Sequence, residues 1–373
     1  LVTDQADKTI TYQSQNPSIA TVDAAGNVTA RGLGNTEITL KAAGYTATMT
    51  IRVTAKTLTI KNTLTDYKLP EEYLSDVEKA PDGSHERHYL GQPDMVMLDD
   101  NQTLVTVFPV GHGRGSIVLK LSYDAGETWV EREVPQSWLD SFETPTIYKL
   151  NMTDGTTKLI VISGRPQSFG APTGGWDTSI SNDGGETWSE FETIYEGEFT
   201  DANNTVVAMA SLVQLKDDNG NYIDKWMGVY HNGGSFINYK TYLTFDEEGN
   251  QQWTDPVPYL SEYRSIEQSH QICEVGMFRS PDEKRIVALA RSQSHNHPAT
   301  MFYSYDEGET WSQPIDLPGS LAGERHKAMY DPTDPTGQRM IVTFREIKYD
   351  QNNNNQFDGG SDWLAGDWLA WVG

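Results

Sequence analysis

The sequence predicts an all-β protein, a small β-sandwich at the N-terminus followed by a β-propeller. Two observations carry this reading. Apolar residues in the first 55 positions alternate with period two and show no helical period. Beyond them one pattern, Ser-x-Asp-x-Gly-x-Thr-Trp, returns at nearly constant spacing. Composition agrees: 373 residues with 32 Gly, 10 Trp and 18 Tyr describe a turn-rich chain whose core relies on aromatic rings.

In residues 1–55, Val28 and Ala30, then Ile38 and Leu40, then Met49, Ile51 and Val53 mark short strands. Turns at Ala25-Gly26-Asn27 and Ala43-Gly44 separate them. Residues 56–86, with Lys68-Leu69-Pro70-Glu71-Glu72 and Ala80-Pro81-Asp82-Gly83-Ser84, read as a polar linker. Residues 87–373 hold the repeat. Ser122-Tyr123-Asp124-Ala125-Gly126-Glu127-Thr128-Trp129 recurs at Ser181–Trp188 and at Ser304–Trp311, with a looser copy from Thr244 to Trp253. Asp124, Asp183, Asp246 and Asp306 therefore stand 59, 63 and 60 residues apart. Within each repeat an apolar strand such as Asp94–Leu98, a turn, a second strand such as Leu104–Val107 and a third ending at the aspartate repeat in order, giving four strands per blade. In the motif the aspartate accepts backbone N–H bonds, the glycine supplies positive φ, and the tryptophan packs between blades.

Charge limits the partners. With 28 Lys and Arg against 53 Asp and Glu the net charge is -25, so neither nucleic acid nor an anionic membrane is expected as a partner. No apolar run is long enough to span a bilayer, and the N-terminus shows no signal peptide. One cysteine, Cys273, excludes an internal disulfide framework, and no cofactor is expected.

Two families are resembled. The stretch Asn16-Pro17-Ser18-Ile19-Ala20-Thr21-Val22-Asp23, with Gly26–Ala30 and Gly34–Thr39, resembles the bacterial Ig-like domain of group 2, clipped of its first strand. That resemblance implies a spacer on an extracellular, cell-surface or periplasmic bacterial protein. The repeated aspartate motif resembles the Asp boxes of sialidases and related BNR-repeat proteins. It implies a six-bladed propeller, which at this period needs about 360 residues. Residues 87–373 supply fewer, so the last blade is expected to be missing from this sequence.

Propeller topology brings first-strand starts and second-to-third-strand loops to one mouth. Read off the sequence, these are Arg87, His88, Glu143, Asn203, Asn204, His270, Glu274, Arg325 and His326, and then His112, Arg114, Arg165, His231, Arg291, His295, His297 and Arg345. Seven of the eight histidines fall at this phase. Guanidinium and imidazole groups converging on an otherwise acidic protein suit a carboxylate- or sulfate-bearing glycan. The expected substrate-binding set is Arg87, Arg114, Arg165, His231, Arg291, His295, Arg325, His326 and Arg345.

The sialidase resemblance implies an exo-acting α-sialidase-like glycoside hydrolase, with an arginine triad for the sugar carboxylate, a glutamate-assisted tyrosine and an aspartic acid. Glu274 and Arg291 resemble the family's glutamate and second arginine, and Arg345 falls where a third could lie. Gly91-Gln92-Pro93 stands where the family has Arg-Ile-Pro, leaving Arg87 as a substitute; Gly111–Gly115 lacks the acid, for which Asp94 is the candidate; the tyrosine is expected beyond Gly373. His112 or His231 beside arginines offers another chemistry, a general base for β-elimination of a uronate glycan. A propeller that binds glycans without turnover is the third reading. His295-Asn296-His297 is read as a turn rather than a metal site, and Asp350–Asp358 as a surface loop rather than a calcium loop.

Overall fold

The computed structural model describes residues 9–31, 34–42, 45–53, 92–110, 113, 115–317, 321, 323–331, 334–349 and 363–372. The linker read at 56–86, together with Arg87, His88, His112, Arg114 and the 350–358 loop, lies outside them. The chain divides into two compact units, one built on the N-terminal residues together with Tyr330–Met340, the other on Glu72–Met329 with Ile341–Val372. The described residues are all-β apart from one short α-helix and three 3-10 turns.

In the N-terminal unit β1 (Thr11–Ser14) pairs with β4 (Gly34–Ala42), which pairs with β5 (Tyr45–Val53). β2 (Ala20–Val22) and β3 (Val28–Ala30) form a separate hairpin. Its core is small. Ala20, Ile38 and Ala42 are buried, whereas Val28 and Met49, on the predicted alternation, are exposed. Period-two patterning located the strands but overstated how much of each face is covered.

The second unit is a series of five antiparallel meanders. The first comprises β6 (Asp94–Met97), β7 (Leu104–Pro109), β8 (Ile117–Ser122) and β9 (Val130–Arg132). The second comprises β10 (Pro145–Asn151), β11 (Thr157–Gly164), β12 (Gly174–Ser181) and β13 (Glu192–Gly197). The third has β14 (Thr205–Lys216), β15 (Tyr222–Asn232), β16 (Asn238–Phe245) and β17 (Gln251–Trp253), with β18 (Val257–Pro258) also on β16. Helix α1 (Arg264–His270) leads into the fourth, β19 (Ile272–Arg279), β20 (Ile286–Ser292), β21 (Thr300–Ser304) and β22 (Ile315–Asp316). The fifth has three strands, β23 (Gly323–Tyr330), β24 (Met340–Tyr349) and β25 (Trp363–Val372).

Consecutive sheets pack face to face through their apolar side chains. Val105, Val107, Leu119 and Leu121 of the first sheet meet Ile147, Leu159 and Val161 of the second around Trp138. Ile160, Ile162 and Trp176 meet Met209, Trp226 and Leu243 on the other side of the second sheet. Val213, Met227 and Val229 meet Val275, Ala288 and Phe302 between the third and fourth. A sheet covered on both faces carries unbroken apolar runs, and Leu159-Ile160-Val161-Ile162 in β11 is wholly buried for that reason. Each large side chain in these layers contributes roughly 1.5–3 kcal/mol of transfer free energy. The first strands are neighbours: β10 packs on β6, β14 on β10, and β19 on β14. β19 and β23 approach so closely that a Cβ on Gly276 would overlap the His326 carbonyl oxygen, so only glycine fits there.

The repeated motif builds one hairpin turn each time. Asp124 Oδ1 accepts from Thr128 N at 2.8 Å and from the Ser122 hydroxyl at 2.8 Å, while Oδ2 accepts from the Thr128 hydroxyl at 2.6 Å. Asp183 and Asp306 repeat the pattern with Thr187 and Thr310, and Asp246 does so with Asn250 in the looser copy. These hydrogen bonds hold the Asp124 and Asp246 carboxyls below their usual range. Trp188 packs against Trp138 in the layer between the first two sheets, and Trp311 against Tyr259 and Phe302 between the third and fourth. Trp129, in the first sheet, is exposed, which corrects the expectation that every motif tryptophan is packed between sheets.

Candidate functional site

The first strands of all five sheets and β24 line one cavity of about 570 Å³. Its wall includes Asp94 at the start of β6, Thr144 and Thr146 around the start of β10, Val207 in β14, Glu274 in β19, Arg325, His326 and Lys327 in β23, and Arg345 in β24. The strands that form this wall are irregular. The register of β14 on β15 shifts between Val206 and Ser211, and that of β19 on β20 between Cys273 and Gly276. Val207, Glu274 and Arg325 sit within these first strands at φ of 51°, 46° and 58°. Left-handed backbone at three non-glycine residues, one of them β-branched, is costly and clusters where function constrains geometry. A bulge re-aims the side chain it carries, and the one in β19 turns Glu274 to the cavity that Arg325 also lines.

Around Glu274 the charges form a chain. Arg291 Nη1 donates to Glu274 Oε1 at 2.8 Å, and Arg325 Nε lies 3.8 Å from Oε2. On its other side Arg291 Nε lies 2.8 Å from Glu324 Oε2 without aligning its N–H for a hydrogen bond, and Arg345 Nη2 contacts Glu324 Oε1. Glu324 is fully buried. Burial pushes the Glu274 carboxyl up, but Arg291 and Arg325 outweigh it and hold the group below its usual range, ionised at neutral pH. Glu143, just before β10, behaves oppositely. Burial raises its carboxyl to about 7 although Thr144 N donates to it at 2.9 Å and Val207 N at 3.4 Å, with the nearby Glu274 charge adding to the rise. Glu143 is buried behind the cavity wall formed by Thr144 and Val207, so two nearby carboxyl groups, one lining the cavity and one behind it, are shifted in opposite directions.

The other expected residues divide. Asp94 lines the cavity, but Oδ1 accepts Met95 N and Oδ2 accepts Ile147 N, each at 3.1 Å, and Lys327 Nζ stands 3.8 Å away. Two backbone amides donate to it, and the one from Ile147 makes Asp94 a staple between β6 and β10. Arg165 is buried after β11 and turned into its own sheet, with Nη1 3.0 Å from both oxygens of Asp177 and Nη2 on the Thr173 hydroxyl. It is a structural ion-pair partner, a correction to its reading as a ligand-binding arginine. His231 is buried in β15, stacked on Phe236 at 5.7 Å, and burial lowers its pKa to about 4. It is therefore neutral and weakly basic, which removes it as an effective general base. His326 stacks on Phe344 and donates Nε2–H to the Leu321 carbonyl at 2.9 Å, leaving Nδ1 as a bare acceptor; burial lowers its pKa as well. His295 is buried beside Arg291 and Arg345, and burial and those cations keep it neutral. The imidazoles of this mouth are thus uncharged, and its positive charge comes from Arg325, Lys327 and Arg345. Glu143 had been placed at the mouth but given no role, and Glu324 was missed; the only signal for Glu324 was its place beside Arg325 in a predicted first strand.

Residues 139–325 match the family model described as BNR repeat-like domain. The chain belongs to the BNR repeat-like family. This BNR chain also matches, over residues 5–44, the intimin immunoglobulin-like domain, in keeping with the Ig-like motifs read at its N-terminus. No curated protein matches it. Among solved structures it is similar to a protein of unknown function from Dyadobacter fermentans, with 17% identity, 68% of this chain and 74% of that chain covered, and a TM-score of 0.45. It is also similar to an exo-beta-1,3-galactanase from Phanerochaete chrysosporium, with 9% identity, 78% and 61% covered, and a TM-score of 0.44. A third is the intramolecular trans-sialidase from Ruminococcus gnavus, with 12% identity, 76% and 84% covered, and a TM-score of 0.46. The chain spans about three fifths of the length of the galactanase. Among the described residues of this BNR protein no helix is long and apolar enough to cross a membrane, which leaves β-barrel insertion unaddressed.

Proposed function

We propose that the protein is an extracellular, sialidase-like glycoside hydrolase that removes a terminal sugar bearing a carboxylate or sulfate, with the Ig-like module as a spacer. The observation that carries this is the cavity where Arg325, Lys327 and Arg345 meet the ionised Glu274 on a chain of net charge -25. Arg325 and Arg345 would hold the anionic group in paired N–H contacts, with Lys327 adding charge and His326 Nδ1 accepting a sugar hydroxyl. Glu274, kept ionised, would draw a proton from the group that attacks the anomeric carbon. As the glycosidic C–O bond breaks, its oxygen takes a proton from a neutral acid, for which Asp94, on the cavity wall, and Glu143, buried behind it and raised to about 7, are the candidates. A six-bladed ring, with one sheet beyond the five described, is the architecture the sialidase resemblance implies.

The test is turnover of a chromogenic sialoside and of uronic-acid oligosaccharides by the wild type and by Glu274→Gln and Arg345→Ala. Release of the terminal sugar, lost in Glu274→Gln and weakened chiefly in KM by Arg345→Ala, supports the assignment. Saturable binding of an anionic glycan with no turnover would make the protein a binding module. An unsaturated product would make it a lyase.

A further inference from the structure

Beyond the mouth, and independent of the proposed activity, a second cluster of side chains has the composition of a metal centre. His270, the last residue of α1, His297 in the loop between β20 and β21, and Asp316 in β22 bring one ligand atom each to within 4.8 Å of one another. His270 Nε2 stands 2.9 Å from Asp316 Oδ1, and the rings of His270 and His297 stack at 3.9 Å and 16°. His270 is buried, while Asp316 is exposed, so the cluster opens to solvent on its carboxylate side.

The hydrogen bonding of His270 is what points to a cation. Its Nδ1 lies 3.0 Å from the Ile266 carbonyl, one helical turn back, and 3.0 Å from the Ser269 hydroxyl. A carbonyl can only accept, and the Ser269 hydroxyl is itself 3.1 Å from the same carbonyl. With Nδ1–H donated to Ile266, Nε2 is the nitrogen left to face the Asp316 carboxylate and the His297 ring, the direction from which a shared cation would be held. An imidazole anchored through one nitrogen on a backbone carbonyl, with the other beside a carboxylate and a second imidazole, is the outer-shell arrangement that fixes histidine ligands.

We propose that His270, His297 and Asp316 bind a divalent transition metal ion of the zinc class, with water completing a four-coordinate site. Two imidazoles and one carboxylate select such an ion over calcium or magnesium, which prefer all-oxygen shells. Coordination draws His297 out of its stack by rotation about its side-chain bonds, so that its nitrogen rather than its face meets the ion. The ion's role is structural. It ties the loop from Gln293 to Ala299 to the end of α1 and to β22, and that loop carries His295 beside Arg291 and Arg345. A metal here therefore stiffens one wall of the mouth without entering the chemistry.

Calorimetric titration of the chelator-treated full chain with zinc at neutral pH tests this, with Co2+ absorption as a second readout. The expected result is one tight equivalent, reversed by chelator, with the visible bands of four-coordinate Co2+ and slower proteolysis of the Gln293–Ala299 loop. His297→Ala and Asp316→Asn, both at partly or fully exposed positions, should fold and should each weaken binding by more than about ten-fold. Absence of a saturable equivalent, meaning that a proton alone bridges His270 and Asp316, overturns the proposal. So does an equivalent that His297→Ala retains undiminished.

Discussion

Glu143→Gln replaces the buried carboxyl behind the cavity wall by a neutral group of the same shape. In the wild type this carboxyl ionises near 4.5 when unfolded and near 7 when folded, because burial disfavours the charge. Below the lower value both states are protonated and the residue contributes no pH dependence. Between the two the folded state binds more protons, so stability falls as pH rises, and above about 7 the whole cost is in place. A separation of about 2.5 in pKa corresponds to about 3 kcal/mol. His231, lowered to about 4, gives the wild type an opposing slope, since its neutral form stabilises the fold above its unfolded value and that contribution is lost as pH falls toward 4. Comparing variant with wild type cancels that slope. The Glu143→Gln protein should therefore gain about 3 kcal/mol on the wild type between pH 4.5 and pH 7, and nothing further above that. Denaturant midpoints across this range, converted with the measured m-value, give the difference directly. A difference that stays flat would refute the reasoning, because it would mean that Glu143 is already charged and compensated in the folded protein. If Glu143 also supplies the proton in catalysis, the wild-type rate falls above pH 7 and Glu143→Gln loses the rate without losing glycan binding.

Arg291→Ala leaves Glu274 and Glu324 buried with one cation each, and should cost about 3–5 kcal/mol, read from the thermal midpoint; Arg291→Lys should recover little, since a point charge cannot reach both carboxylates. Asp183→Ala removes the acceptor for Thr187 N, the Thr187 hydroxyl and the Ser181 hydroxyl, and should cost about 2 kcal/mol in the same assay without altering glycan affinity. Gly276→Ala forces β19 away from β23 and should destabilise by at least about 3 kcal/mol; a wild-type melt would show that the strands have more room than the structure gives them. His231→Phe removes a buried imidazole whose burial opposes protonation, so it should flatten the loss of stability between pH 6.5 and pH 4, measured by thermal melts across that range.

Much of this protein was legible in its sequence because the repeat is local. The aspartate, threonine and glycine of each turn satisfy one another within seven residues, so the same octapeptide folds alike wherever it occurs, and with its looser copy it marks four of the five described sheets. The strand starts at Asp94 and Leu104 follow from the same local patterning. A meander returns its first-strand starts to one edge, and of the residues read at that phase Glu274, Arg325, His326 and Arg345 line the cavity while Arg165, His231, His270 and His297 do not. What each side chain does there was not readable. Arg165 and Arg345 have the same phase and the same chemistry, yet one is consumed by Asp177 and the other lines the cavity, a difference set by which carboxylate packs beside it. Glu143 and Glu274 are both buried glutamates at first strands, and the two guanidiniums beside Glu274, which Glu143 lacks, hold the one ionised while burial raises the other to about 7. His297 was read with His295 as part of a turn, which it is, and the fold also stacks it on His270, 27 residues before it. Local hydrogen bonding wrote the fold into the sequence; burial and charge, which depend on what lies across the sheet and on the next one, were decided by tertiary structure alone.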